Sequence, residues 1–164
     1  MPAFIFRKVQ DSDREAILCI FNYFVENSYA AYPDRKVGTE LFDMLRGMSR
    51  GGVFYVIESS AKQVIGFGLL RHHQHSDTFK HSAEVTYFIL PEFNRQGLGT
   101  KLLNTIMEDA KNLGVRTLLA NISSLNIQSL NFHRRQGFRE CGRFESIGNK
   151  FDKDFDVIWM QKFI

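Results

Sequence analysis

One stretch constrains this chain more than any other. An apolar run over residues 83–90 stops at Pro91; Glu92, Phe93 and Asn94 lead into Arg95, Gln96, Gly97, Leu98, Gly99 and Thr100, and then Leu102, Leu103, Ile106, Ala110 and Leu113 recur at helical spacing. The order is strand, proline, glycine loop, helix, because a short apolar run reads as a strand and the i, i+3, i+4 pattern as an amphipathic helix. Glycines without a Cβ let main-chain amides approach a ligand closely, and the free amides of a helix's first turn, at the positive end of its dipole, make an anion site. A phosphate is the natural guest. Two familiar phosphate loops do not fit: a GxGxxG loop needs a third glycine where this chain has Leu102, and a GK(S/T) loop needs Gly-Lys where it has Gly99-Thr100-Lys101.

Around that segment the pattern predicts a mixed α/β domain. Residues 3–9 read as a strand, and Ser12-Asp13-Arg14-Glu15 has the S-x-x-E form of a capped helix start. Ile17, Ile20, Phe21 and Phe24 supply that helix's buried face, and the pattern stops near residues 26–32. Thr39 caps a shorter helix carrying Leu41, Leu45 and Met48, closed by Gly51 and Gly52. Residues 53–58, 64–71 and 83–90 form an antiparallel meander, and residues 117–122 a further buried strand. Gly114 ends the helix that follows the glycine loop, Asn126 caps a last helix running to Gln136 with Gly137 just past it, and residues 138–164 form two strands around Gly148.

Composition narrows the function classes. The chain has 164 residues, 44% apolar and 24% charged, which suits one soluble domain spanning 1–164 and excludes disordered, collagen-like and repeat architectures. Its 21 basic and 18 acidic residues form no Lys/Arg block, so no nucleic-acid partner is implied. The longest apolar runs, such as residues 64–70, are too short to span a bilayer, and the N-terminus lacks a signal-peptide pattern, so a cytoplasmic protein is expected. Cys19 and Cys141 lie far apart and form neither a disulfide framework nor a CxxC pair. Arg71-His72-His73-Gln74-His75 clusters three imidazoles without a partnering Cys or carboxylate at ligand spacing, so no metal site is expected.

Asn94-Arg95-Gln96-Gly97-Leu98-Gly99 resembles the Q/R-x-x-G-x-G/A loop of the GNAT superfamily of N-acetyltransferases, with Asn at the first position. Downstream, Asn126-x-x-Ser129-x-x-Phe132-His133-x-x-x-Gly137-Phe138 resembles the superfamily's N-x-x-A/S-x-x-L/F-Y/H-x-x-x-G-F. Within the superfamily the chain is most similar to the phosphinothricin and methionine sulfoximine acetyltransferases: Glu84-Val85-Thr86-Tyr87-Phe88-Ile89-Leu90-Pro91 follows their E-x-S/T-x-Y/F-V-x-P, and His133 stands where many other members carry Tyr. The tail departs from their pattern, with Asp152 and Asp154 replacing a glycine and an aromatic.

The resemblance implies a mixed, mainly antiparallel central sheet flanked by helices, and acetyl-CoA as co-substrate with no metal. It implies direct transfer of the acetyl group to the primary amine of a small amino-acid-like acceptor; the alternatives are a protein or peptide N-acetyltransferase, or a non-catalytic acyl-CoA-binding module. Backbone groups of Phe88, Ile89 and Leu90 would meet the pantetheine arm and thioester, and amides of Arg95, Gln96, Gly97, Leu98, Gly99 and Thr100 the pyrophosphate. Asn126, with Ser129 beside it, either bonds the pantetheine amides or caps its helix, and Phe132 either lines the cofactor or packs in the core. Glu84 is the candidate base, or else an outward-facing strand carboxylate; His133 protonates the leaving thiolate or steers the sulfur, or else simply packs. Arg71, assisted by Lys150, would clamp an acceptor carboxylate, with a solvated surface role as the alternative for both. Homodimers are frequent among the enzymes it resembles.

Overall fold

Residues 3–164 are described by a computed structural model. In chain order the elements are β1 (Phe4–Lys8), α1 (Arg14–Asn27), α2 (Glu40–Met48), β2 (Ser49–Ser59), β3 (Val64–His72), β4 (Ser82–Ile89), α3 (Leu98–Asn112), β5 (Thr117–Ser123), α4 (Ile127–Arg135), β6 (Arg139–Lys150) and β7 (Lys153–Phe163). The strands form one sheet in the order β1-β2-β3-β4-β5-β7-β6. Every pairing is antiparallel except β4 with β5, which is parallel and holds for only three residue pairs, Ser82–Glu84 against Thr117–Leu119.

Side-chain alternation along the strands feeds two cores, one on each face of the sheet. Ile17, Ile20 and Val25 of α1 and Leu41, Phe42 and Leu45 of α2 pack with Phe54, Phe67 and Phe88 on one face. Leu102, Leu103 and Ile106 of α3 and Leu130 of α4 pack with Val85, Leu118 and Ile158 on the other. Helix α3 lies tightly over β3 because Gly68 has no side chain; a Cβ there would stand 2.9 Å from Leu102 Cδ2. Among the described residues no helix is long and apolar enough to cross a membrane.

Three local expectations are corrected. Helix α1 is not opened by a Ser12–Glu15 box: the amide of Gln10 donates to Asp13 Oδ2 at 2.8 Å, and Asp13 closes a single turn of 3₁₀ helix before Arg14. Asp13 wins because Arg7 clamps its carboxylate with two 2.8 Å bonds, which makes it a stronger acceptor than a hydroxyl. Gly51 and Gly52 do not terminate α2; Ser49 already begins β2, and the two glycines, both at positive φ, sit in an irregularity of that strand. The final hairpin turns at Phe151-Asp152 and not at Gly148. Both turn residues have positive φ, 53° and 56°, the conformation of a two-residue hairpin turn. Packing sets this register, since Phe151 meets the Tyr29 ring at 5.5 Å and the Phe155 ring occupies the space over Gly148.

Candidate active site

The loop after Pro91 builds an amide cradle. Gly97 is the N-cap of α3 with φ 74°, a left-handed conformation that glycine adopts without steric penalty. The first main-chain bond back onto it comes from Lys101, at 3.1 Å; among the described residues the amides of 95–100 have no main-chain acceptor. Nothing lies within 4 Å of where a Gly97 Cβ would stand, so the cradle is open in front. The side chains of the loop do other work. Leu98 is buried in the core, and Thr100 Oγ1 accepts from Gln136 Nε2 at 3.0 Å. Unpartnered amides at the start of a 15-residue helix fit a diphosphate.

Strand β4 supplies the next part. The amide of Leu90 donates to Ile65 O at 2.9 Å, and main-chain groups alternate sides along a strand, so residues 84, 86, 88 and 90 bond to β3. The main-chain groups of Val85, Tyr87 and Ile89 therefore point the other way. There β5 has already diverged, because its pairing with β4 ends at Glu84. Of Phe88, Ile89 and Leu90, only Ile89 presents its main chain to this gap; Phe88 and Leu90 spend theirs on β3, and Tyr87 takes their place.

A cavity of about 530 Å³ opens through the gap and joins the two faces of the sheet. Phe21, Tyr32 and Met44 line it on the α1–α2 side, Asn126, Ser129 and His133 on the α4 side, with Arg71 and Glu84 between. Glu84 is only 8% exposed. Its Oε2 accepts from Arg71 Nη2 at 2.6 Å and from Asn121 Nδ2 at 3.4 Å, and His73 Nδ1 lies 2.9 Å from Oε1. Arg71 Nε is the one buried side-chain nitrogen or oxygen among the described residues without a hydrogen-bond partner, so an anionic group entering the cavity could satisfy it. The solvated readings of Arg71 and Glu84 do not hold.

His133 is 3% exposed, and its burial pulls the imidazole down to about 4, so the ring is neutral at pH 7. Its Nδ1 lies 2.8 Å from Ser129 O, which can only accept, so Nδ1 carries the hydrogen and Nε2 is bare. The Tyr87 hydroxyl donates to that nitrogen, and the two rings stack at 5.5 Å. Burial in turn raises the Tyr87 phenol far above its ordinary value. Asn126 Oδ1 caps α4 by accepting from Ser129 N at 3.2 Å, which leaves its amide group for the cavity it lines. Phe132 packs edge-on against Tyr87 and His133, beneath Gly99.

Lys150 is corrected outright. It is buried, and its Nζ donates to Ser28 O at 2.8 Å and Ala31 O at 2.7 Å, so it staples the α1–α2 loop to the β6–β7 hairpin and does not reach the cavity. Two cavity groups escaped the sequence reading, Asn121 and Tyr87 as a hydrogen-bonding group, and so did His73, which meets Glu84 from outside the cavity lining. The signal for His73 was its place two residues past Arg71, at the end of a strand whose partner carries Glu84. Among the described residues no cluster suited to a metal ion forms.

Residues 18–138 match the model of the acetyltransferase (GNAT) family. A phosphinothricin N-acetyltransferase from Alcaligenes faecalis is 28% identical over 161 residues, covering 95% of this chain and 80% of that protein. Among solved structures, a ribosomal-protein-alanine N-acetyltransferase from Brucella melitensis is 31% identical with a TM-score of 0.86, over 98% of this chain and 99% of that one. The protein yncA from Salmonella typhimurium, solved with its cofactor acetyl-CoA, is 27% identical with a TM-score of 0.86, over 98% and 94%. The amide cradle, the divided sheet and these likenesses agree, and the chain belongs to the acetyltransferase (GNAT) family as an N-acetyltransferase.

Proposed function

We propose that this enzyme moves an acetyl group from acetyl-CoA directly to the primary amine of a small amino-acid-like acceptor of the phosphinothricin or methionine sulfoximine type. One observation carries the reading: a single cavity of small-molecule size connects the α4 side of the sheet to the half-buried Arg71–Glu84 pair and the α1–α2 side beyond it. The cradle at residues 95–100 would hold the pyrophosphate, and the free main-chain edge of Tyr87 and Ile89 would hold the pantetheine arm and leave the thioester in the gap. The unpartnered Arg71 Nε would receive the acceptor's carboxylate, while Phe21, Met44 and the half-exposed Tyr32 would cover its apolar part.

In this arrangement the amine loses a proton at the Glu84 end, and its lone pair attacks the thioester carbonyl. The C–N bond forms and the carbonyl electrons move to oxygen; the nitrogen then gives up its second proton, and collapse of the oxyanion breaks the C–S bond and releases the thiolate, which takes up a proton to leave as the free thiol. Backbone amides on the free edge of β4 are the donors available to the oxyanion. Tyr87 and His133 line the cavity together, the Tyr87 hydroxyl donating to His133 Nε2, and would face the thiolate as it leaves. No covalent enzyme intermediate is needed: Ser129 Oγ lies 3.2 Å from His133 Nδ1, but that nitrogen carries the ring's hydrogen and cannot take the hydroxyl proton.

Thiol release measured against phosphinothricin, methionine sulfoximine, methionine sulfone, a polyamine and a peptide beginning with alanine tests the reading. Turnover confined to the amino-acid analogues is expected. The peptide arm covers the second reading, favoured by the 31% likeness to an enzyme named for a ribosomal protein; turnover on that substrate alone would replace the small-acceptor assignment. Tight acetyl-CoA binding with no turnover at all would leave a binding module.

A further inference from the structure

The hydrogen bonds around Glu84 leave one nitrogen without a task beside the cavity, on His73, which touches the lining residues Glu84 and Trp159. Arg71 and Asn121 occupy Oε2, and His73 Nδ1 lies against Oε1. A carboxylate ion-paired with a guanidinium only accepts, so His73 Nδ1 carries a hydrogen toward it, and Nε2 is the ring nitrogen left to accept a proton. That nitrogen has no hydrogen-bond partner, and it reaches solvent, because Arg71 Nε is the only sealed side-chain nitrogen or oxygen without one among the described residues. The ring is held edge-on between Phe79, at 5.9 Å, and Trp159, at 6.1 Å, and Trp159 itself lines the cavity.

The neighbouring groups are poorer bases. Glu84 already spends both oxygens on Arg71, Asn121 and His73. His133 has both nitrogens engaged, and its bare one is taken by the Tyr87 hydroxyl. Burial pushes the Tyr32 phenol up to about 12, so it stays protonated. Neither the Asn121 amide nor the Arg71 guanidinium offers a basic nitrogen.

We infer that His73 is the proton acceptor for the acceptor amine, and that Glu84 is its positioning partner, fixing the Nδ1–H tautomer and stabilising the imidazolium that forms. The inference rests on the acetyl-transfer reading above and refines its first step. One N–H bond of the ammonium breaks and its electron pair stays on nitrogen as the attacking lone pair. The proton crosses a water molecule to His73 Nε2, and the imidazolium, paired with ionised Glu84, returns it to solvent from its exposed edge. The same carboxylate–imidazole division of labour operates in hydrolytic triads, where the carboxylate orients and never takes the proton. No oxidant, reductant or metal enters the balance.

Two variants of the full chain test this with acetyl-CoA and methionine sulfone or phosphinothricin, whichever the wild type turns over. His73→Gln keeps an N–H donor for Glu84 Oε1 but has no basic nitrogen, and its kcat is expected to fall by about 100-fold, the lower end of what a general base contributes. His73→Ala should fall similarly and recover in a saturable way when imidazole is added. Acetyl-CoA affinity, measured by calorimetry on both variants, should stay within about twofold, because the cradle lies on the opposite face of the sheet. A His73→Gln enzyme within a few-fold of wild type, a His73→Ala enzyme that imidazole does not revive, or acetyl-CoA affinity falling in step with kcat would each overturn the assignment. A wild-type protein inert on every amine would instead sink the acetyl-transfer reading, and this inference with it.

Discussion

Replacing Gly97 with alanine separates the conformational cost of the cradle from its binding role. The residue sits at φ 74°, where an L side chain meets the following carbonyl, at a cost of about 1–2 kcal/mol. No atom stands within 4 Å of the added methyl, so packing adds nothing to that strain. For a domain of this size, each kcal/mol shifts the melting temperature by about 2–4 °C, which predicts a fall of about 2–8 °C. The methyl projects into the open front of the cradle, where a diphosphate would have to approach the amides of 95–100. Loss of one charge-assisted hydrogen bond costs about 1.5–3 kcal/mol, so the dissociation constant for acetyl-CoA should rise roughly 10- to 100-fold. Calorimetric titration and a thermal melt read the two effects independently. Gly142→Ala is the control: its position in β6 is equally open but has no positive φ, so neither quantity should move appreciably. Gly97→Ala with wild-type affinity for acetyl-CoA would refute the assignment of the loop.

The remaining predictions concern the groups behind the cavity. Lys150→Met leaves the carbonyls of Ser28 and Ala31 without their donor, at a cost of about 1–3 kcal/mol, and loosens the loop that carries Ala30 to Pro33 into the cavity wall; initial-rate kinetics should show a higher KM for the acceptor with acetyl-CoA affinity unchanged, and equal losses in both would contradict it. Because burial holds His133 at about 4 against 6.5 for a free imidazole, the unfolded chain binds the extra proton between those values; stability from this residue is complete above pH 6.5 and lost as the pH falls towards 4, by about 3 kcal/mol in all. Urea unfolding of wild type and His133→Gln at pH 7 and pH 4.5 should show the wild type losing more on acidification, and parallel losses would remove His133 as the cause.

The cradle was legible in the sequence because all of its parts are contiguous. Pro91, Gly97, Gly99 and the helical spacing from Leu102 onward specify a local conformation, and local conformation is what residue patterns report. Asn126 was legible for the same reason, since a cap acts within three residues of itself. The surroundings of Glu84 were not. Glu84 is met by Arg71 across an antiparallel register, by His73 from beyond the end of β3, and by Asn121 from β5, so its environment exists only once three segments far apart in the chain are in place. Burial alone suggested an isolated carboxylate in an apolar strand; the register supplied the cation. Lys150 misled for a related reason, because the turn at Phe151-Asp152 rather than Gly148 decides which way the end of β6 points.

The position of the cavity follows from how the sheet is held together. Strands β1 to β4 form one antiparallel ribbon, and β5, β7 and β6 form another, each closed by its own ladder; β5 alone makes seven residue pairs with β7. The two ribbons are joined by a parallel seam of three pairs. Opening the sheet beyond Glu84 therefore breaks no ladder in either ribbon, and it leaves the outward main-chain groups of Val85, Tyr87 and Ile89 to be satisfied by something other than β5. A pantetheine arm, which carries its own amides, can play the part of the missing strand. Through this gap a thioester on the α3–α4 face would meet an amine on the α1–α2 face without crossing an intact sheet. A substitution that extended the seam by pairing β5 with Val85 to Ile89 would thus close the site while leaving both cores intact, so stability and activity should part company at this seam more sharply than elsewhere in the fold.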